Sequence, residues 1–171
     1  MRGSSLIRWN IILASQSKWR LQMLLDLGVA VTAQSSGVDE SQYDANTAPE
    51  LAMLLALRKA EAVWEGNRDC LVIGSDQVAF MGAETFGKPE DDTAHFERLC
   101  ALRGRSHSLV TAVAILYPGD VGGDGGPEKI CFSETTEVHF RGDVSDDEIW
   151  EYVRTGEASG CAGGYVGRDL G

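Results

Sequence analysis

Residues 11–28, "IILASQSKWRLQMLLDLG", decide the fold. Residues 10–14 read as a buried strand, because the run is continuously apolar. Lys18–Leu27 then reads as a short helix with Leu21, Leu24 and Leu25 on one face. Gly28 stands where a helix needs a left-handed C-terminal residue. A strand that runs within a few residues into a helix is the opening of an α/β unit, and the chain repeats that alternation.

Working outward, "VAVTAQSSGVDE" (29–40) returns as a strand and a turn. Thr47 and Glu50, flanking Pro49, form a capping box for a second helix that should run to about Glu65. Leu51, Leu54, Leu55 and Arg58 line one stripe of it, and Gly66-Asn67 ends it. "CLVIGSDQVAF" (70–80) reads as a short strand broken at Gly74-Ser75-Asp76 and then resumed. "AHFERLCALRG" (94–104) is a third helix closed by Gly104, and "SHSLVTAVAILY" (106–117) a long strand. The Pro118–Pro127 loop carries five glycines, and "KICFSETTEVHF" (129–140) is the partner strand of a long hairpin. Ser145 and Glu148 make another capping box, opening a helix to about Thr155. Alternating strands and helices with one long hairpin imply an α/β fold, a mixed sheet flanked by helices.

The 171 residues suffice for one compact domain, or two packed lobes, with a real core. A hydrophobic content of 43% with 24% charged residues is that of a globular chain. No apolar run reaches the roughly 18 residues of a membrane span, and the N-terminus is a poor signal peptide. The net charge of −11 argues against a nucleic-acid polymer or an anionic membrane as partner. It leaves room for a small polyanion held by a few focused cations. Cys70, Cys100, Cys131 and Cys161 form no C-x-x-C pair, which points to reduced thiols in the cytoplasm rather than zinc.

Several short stretches could carry chemistry. "ASQSKWR" sets Ser15, Ser17, Lys18 and Arg20 at a strand-to-helix junction, where unpaired N–H groups and the helix dipole attract anions. The same pattern is also an ordinary N-cap with solvated cations. In "GSDQV", Asp76 follows a buried strand and could bind a metal or orient a water, or cap its own turn. "GVDE" offers Asp39 and Glu40 at another turn. "GAETFGKP" begins like a phosphate-binding P-loop, but Pro89 supplies neither the required hydroxyl nor an N–H. What survives is Lys88, presented by a rigid Gly-Lys-Pro turn. Lys59, beside an apolar stripe, would by itself be read as snorkelling to water. His95, His107 and His139 lack metal-ligand spacing, and no G-x-S-x-G elbow is present.

In order along the chain, "IILASQSKWRLQML", "VDES", "LRKAEAV", "VIGSDQVAF", "FGKP", "LRGRSHSLVTAVAIL", "TEVHF", "EIWEYVRTGE" and "CAGGYVGRDLG" resemble the Maf family of nucleoside triphosphate pyrophosphatases. The resemblance implies a Maf/inosine-triphosphatase-like fold, a mixed twisted sheet flanked by helices with two lobes around a central cleft. It implies hydrolysis between the α- and β-phosphates with a divalent metal cation, magnesium or manganese. It places Ser15, Ser17 and Arg20 on the phosphates, Glu40 and Asp76 on the metal, and Asp76 as proton acceptor. Lys59 and Lys88 are its two catalytic lysines, so the snorkelling reading of Lys59 gives way.

Trp19 and Gln77 fall at positions tied to base choice, where the branch acting on dTTP and UTP carries an arginine and a threonine. "WR" and "SDQV" are instead similar to the branch acting on 7-methyl-GTP. An indole face suits a cationic N7-methylated guanine, and a glutamine amide can read a base edge. A core role for Trp19 is the alternative. A third specificity position falls on Arg168, whose charge would repel such a base unless Asp169 takes the role. The resemblance further implies one domain over 1–171, ending before the family's last helix and strand, and a homodimer as the usual assembly. The alternatives are a dTTP/UTP pyrophosphatase, or a non-catalytic nucleotide-binding regulator of cell division or septation.

Overall fold

A computed structural model describes residues 9–82, 84–119, 126–158 and 160–166. Its helices and strands follow the order β1 (Ile11–Leu13), α1 (Lys18–Asp26), β2 (Val31–Ala33), α2 (Ala48–Trp64), β3 (Leu71–Met81), β4 (Glu84–Phe86), α3 (Asp92–Leu102), β5 (Ser106–Pro118), β6 (Pro127–His139) and α4 (Asp146–Arg154). One-turn 3-10 helices cover Glu40–Gln42 and Ala162–Gly164. Six strands form one mixed sheet in the order β2-β1-β3-β5-β6, with β4 pairing β3. β1 is parallel to both neighbours, Ile12 facing Thr32 on one side and Val72 on the other, while β4 runs antiparallel to β3. This is the expected α/β architecture.

The chain divides into two compact units. The first comprises Met1–Ala45, Glu50–Asp76 and Ala112–Ser133, the second Asn46–Pro49, Gln77–Thr111 and Glu134–Gly171. In the first, α1 starts on Ser17, whose side chain accepts from the Arg20 N–H. It ends at Gly28, at φ +76, with the Gly28 N–H donating to Leu25 and the Val29 N–H to Leu24. That is a Schellman closure, and it needs a residue at ease in the left-handed region. None of α1 is buried, and Leu25 is exposed, so the expected three-leucine face is corrected. α1 lies outside the core because its packing face is short.

The buried face of α2 is Ala52, Leu55, Ala56, Lys59, Ala60 and Val63. Arg58 is exposed and pairs with Glu61, which corrects its place in the stripe. Alanines dominate because the helix comes very close to β3. β3 itself runs unbroken from Leu71 to Met81, so the expected break at Gly74-Ser75-Asp76 does not occur. Gly74 is there for tertiary reasons: a Cβ on it would lie 2.1 Å from the Ala56 carbonyl oxygen. Val72, Leu13 and Leu116 are fully buried in the same unit.

In the second unit α3 and α4 pack together around Leu99, Ile149 and Val153, with Phe96 stacked on Trp150 at 4.4 Å. The expected capping box is present at α4, where the Ser145 side chain accepts from the Glu148 N–H and the Glu148 carboxylate accepts from the Ser145 N–H. Arg103 donates to the Val144 carbonyl and pairs with Asp146, joining the end of α3 to the start of α4. Among the described residues no helix is long and apolar enough to cross a membrane.

Candidate active site

The first unit gathers four of the residues singled out in the sequence. Lys59, 7% exposed, projects from the alanine face of α2. Its Nζ donates to Asp76 Oδ1 at 2.5 Å and pairs with Glu40 Oε1 at 2.8 Å. Asp76 lies in the middle of β3 rather than at a strand end, and is 6% exposed. Glu40 opens the one-turn helix that Asp39 caps by accepting from the Ser41 N–H. Arg20, in the first turn of α1, donates from Nη1 to the Ser75 carbonyl at 2.8 Å. The start of α1 is thereby tied to the residue before Asp76.

The electrostatics follow from burial. Desolvation pushes the Asp76 carboxyl above the usual carboxylate range, against the pull of the Lys59 ammonium. Glu40 adds to the rise, and Arg20 opposes it. A buried carboxylate with a raised pKa is better able to take a proton near neutral pH than a solvated one.

Ser15, Ser17 and Arg20 form a linked turn. Ser15 Oγ accepts from the Ser17 N–H, and Ser17 Oγ from the Arg20 N–H. Ser17 is therefore the N-cap, as the plainer reading had it, and both hydroxyls border the first-turn N–H groups of a nine-residue helix. Trp19 is 42% exposed, which removes the core reading of its indole. Lys18 is also exposed.

Lys88 and Gln77 belong to the second unit. Lys88 is exposed in the turn after β4, and the carbonyl of its neighbour Gly87 accepts from Arg98. Gln77 directly follows Asp76 on β3 and donates from its amide to Thr111 Oγ1 at 2.8 Å. Arg168 and Asp169 lie outside the described residues. His95 and His107 are buried structural groups: His95 Nε2 meets the Gly164 carbonyl at 2.5 Å and His107 Nε2 the Tyr165 hydroxyl at 2.7 Å. His139 is exposed beside Glu137 and Ser106.

Two elements of the site have no signature that was read in the sequence. One is the Ser75 carbonyl that holds Arg20. The other is the seam of Ala56 and Ala60 on Gly74, for which the three small residues are the available signal. Among the described residues no group of three or more His, Cys, Asp or Glu side chains is arranged so that it could hold a metal ion. Glu40 and Asp76 are two hard oxygen donors meeting on one cation, the donor chemistry that suits magnesium or manganese once phosphate and water complete the shell.

A family model described as "Maf-like protein" matches residues 10–171. The dTTP/UTP pyrophosphatase of Aquifex aeolicus is 38% identical over 157 residues, 91% of this chain and 76% of that protein. The 7-methyl-GTP pyrophosphatase of Alkalilimnicola ehrlichii is 34% identical over 161 residues, 94% of this chain and 77% of the relative. The nucleoside triphosphate pyrophosphatase of Thermosynechococcus vestitus is 37% identical over 157 residues, 91% and 75% of the two chains. With its pattern matched from β1 through the glycine-rich C-terminal stretch, the chain belongs to the Maf-like family.

Proposed function

We propose that this protein is a nucleoside triphosphate pyrophosphatase that cleaves between the α- and β-phosphates, with 7-methyl-GTP as its substrate. The observation that carries the chemistry is the Lys59 ammonium set between Asp76 and Glu40, beside an arginine anchored on Ser75. The names of the relatives support the reaction class.

The residues divide the work. Asp76 accepts the proton of the attacking water, for which its buried, raised-pKa carboxyl is suited. Lys59 holds that carboxylate in place and offsets charge as the nucleotide enters. The hydroxyls of Ser15 and Ser17, the first-turn N–H groups of α1 and the Arg20 guanidinium bind the phosphate chain. A divalent metal held by Glu40 and Asp76 would neutralise the leaving pyrophosphate when bound.

The base preference rests on Trp19, whose exposed indole neighbours the phosphate-binding turn in sequence and favours a cationic ring. A second reading, a pyrimidine substrate, is favoured by the relatives named dTTP/UTP pyrophosphatase. Pyrophosphate release with magnesium or manganese across 7-methyl-GTP, GTP, UTP, CTP and dTTP separates them. Fastest release from 7-methyl-GTP is expected; release from pyrimidine nucleotides alone removes the Trp19 argument. No release from any of them leaves a nucleotide-binding regulator as the reading.

A further inference from the structure

We propose that Gly74 is a positioning residue for this site: lacking a side chain, it lets α2 settle onto β3 closely enough for Lys59 to reach Asp76. The consequence for turnover rests on the pyrophosphatase reading; the geometry stands without it. Gly74 lies within a continuous strand, and its φ is not among the positive values of this backbone. Neither a turn nor a left-handed conformation accounts for it, and a mid-strand glycine weakens the strand that contains it.

What accounts for it is the helix above. A Cβ at this position would stand 2.1 Å from the Ala56 carbonyl oxygen, 2.7 Å from the Ala60 nitrogen and 2.8 Å from the Ala60 Cβ. Two of those three atoms are backbone, so no rotamer change relieves the clash. Lys59 immediately precedes Ala60 on the helix. Asp76 lies two residues beyond Gly74, so both project from the same face of β3. The seam closed by Gly74 is therefore the seam that the 2.5 Å Lys59–Asp76 contact spans. Because the interior is close-packed, a methyl group there forces α2 back by about 1 Å, and Lys59 goes with it.

The test compares Gly74→Ala with the wild type in the full chain, with 7-methyl-GTP and dTTP as substrates. Folding is checked by circular dichroism and a thermal melt, and assays are run well below the midpoint. Expected is a fall in kcat of about 100-fold, the scale for a 1 Å misplacement, with KM changed less than threefold. The same substitution in a Lys59→Met background should lower kcat less than threefold, because the group through which Gly74 acts is already gone. A folded Gly74→Ala enzyme with wild-type kcat, or a full loss persisting in the Lys59→Met background, overturns the proposal. Should Gly74→Ala not fold, Ala60→Ser adds one atom at the same seam. A kcat loss dependent on Lys59 is then expected, and unaltered kcat overturns the proposal. If the wild type releases no pyrophosphate, the pyrophosphatase reading fails by itself. The positioning role is then judged on the crystal structure of the folded seam variant, where Lys59 and Asp76 remaining within hydrogen-bond distance overturns it.

Discussion

Lys59→Met should destabilise the protein by an amount that depends on pH. The substitution keeps an apolar stem of similar length and removes the ammonium from between Asp76 and Glu40. Asp76, 6% exposed, is then a buried carboxylate whose desolvation is opposed by the Arg20 charge. Breaking a buried pair by removing one partner costs about 3–5 kcal/mol where the remaining charge must persist. Glu40 adds little, since its side chain is 42% exposed and a pair at such a site is worth about 1 kcal/mol at most.

The sign follows from Asp76. Its carboxyl is already raised by burial, and loss of Lys59 raises it further. A carboxyl raised in the folded state favours the fold when protonated; that contribution is complete below the unfolded pKa and is lost as pH rises through the folded one. The stability gap between wild type and Lys59→Met should therefore widen as pH rises above the ordinary carboxyl range, because the variant's Asp76 must ionise against the greater cost. Urea unfolding of both proteins at several pH values measures it. A gap that stays constant across those pH values refutes the reasoning, because Asp76 would then not be the group left exposed to the loss.

Other outcomes follow from the same geometry. Asp76→Asn should lower turnover by about 100-fold or more, as expected for loss of a general base, and steady-state pyrophosphate release with a circular dichroism control measures it. Trp19→Ala should raise KM for 7-methyl-GTP by about tenfold, within the range of a lost cation–π contact, while KM for dTTP changes less than twofold. Equal effects on the two nucleotides would take the indole out of base selection. Ser145→Ala removes the reciprocal cap of α4 and should cost about 1 kcal/mol in urea unfolding, with kcat unchanged because Ser145 and Glu148, which make the cap, have no part in the chemistry.

Most elements were legible because local signals and burial agree. Ser17 and Ser145 cap helices, Gly28 and Gly104 follow helix ends at positive φ, and the apolar runs at 11–13 and 106–118 are strands. Gly74 was misread because a glycine in an apolar run usually signals a break, whereas the helix packed on it supplies the reason here. Arg58 reads as part of the apolar stripe for a similar cause, and Lys59, taken without the family resemblance, reads as snorkelling to water. Leucine positions suggest one face of α2, but the close approach to β3 selects the face made of alanines and Lys59. Once that face is known, a lysine within it must find carboxylates, and Glu40 and Asp76 are where it finds them. The Arg20–Ser75 bond was invisible, since any backbone carbonyl could have played that part.

Asp76 and Gln77 share a peptide bond, yet alternation along β3 sends their side chains to opposite faces of the sheet. One meets Lys59 on α2, the other Thr111 on β5. Substitution at 77 can thus retune what the amide contacts while leaving the Lys59–Asp76 pair in place. Indels behave in the opposite way. Deleting or inserting one residue between 71 and 75 would exchange the two faces at a stroke, setting the amide against the lysine and the carboxylate against the threonine. In this strand the phase of the sequence matters as much as its composition.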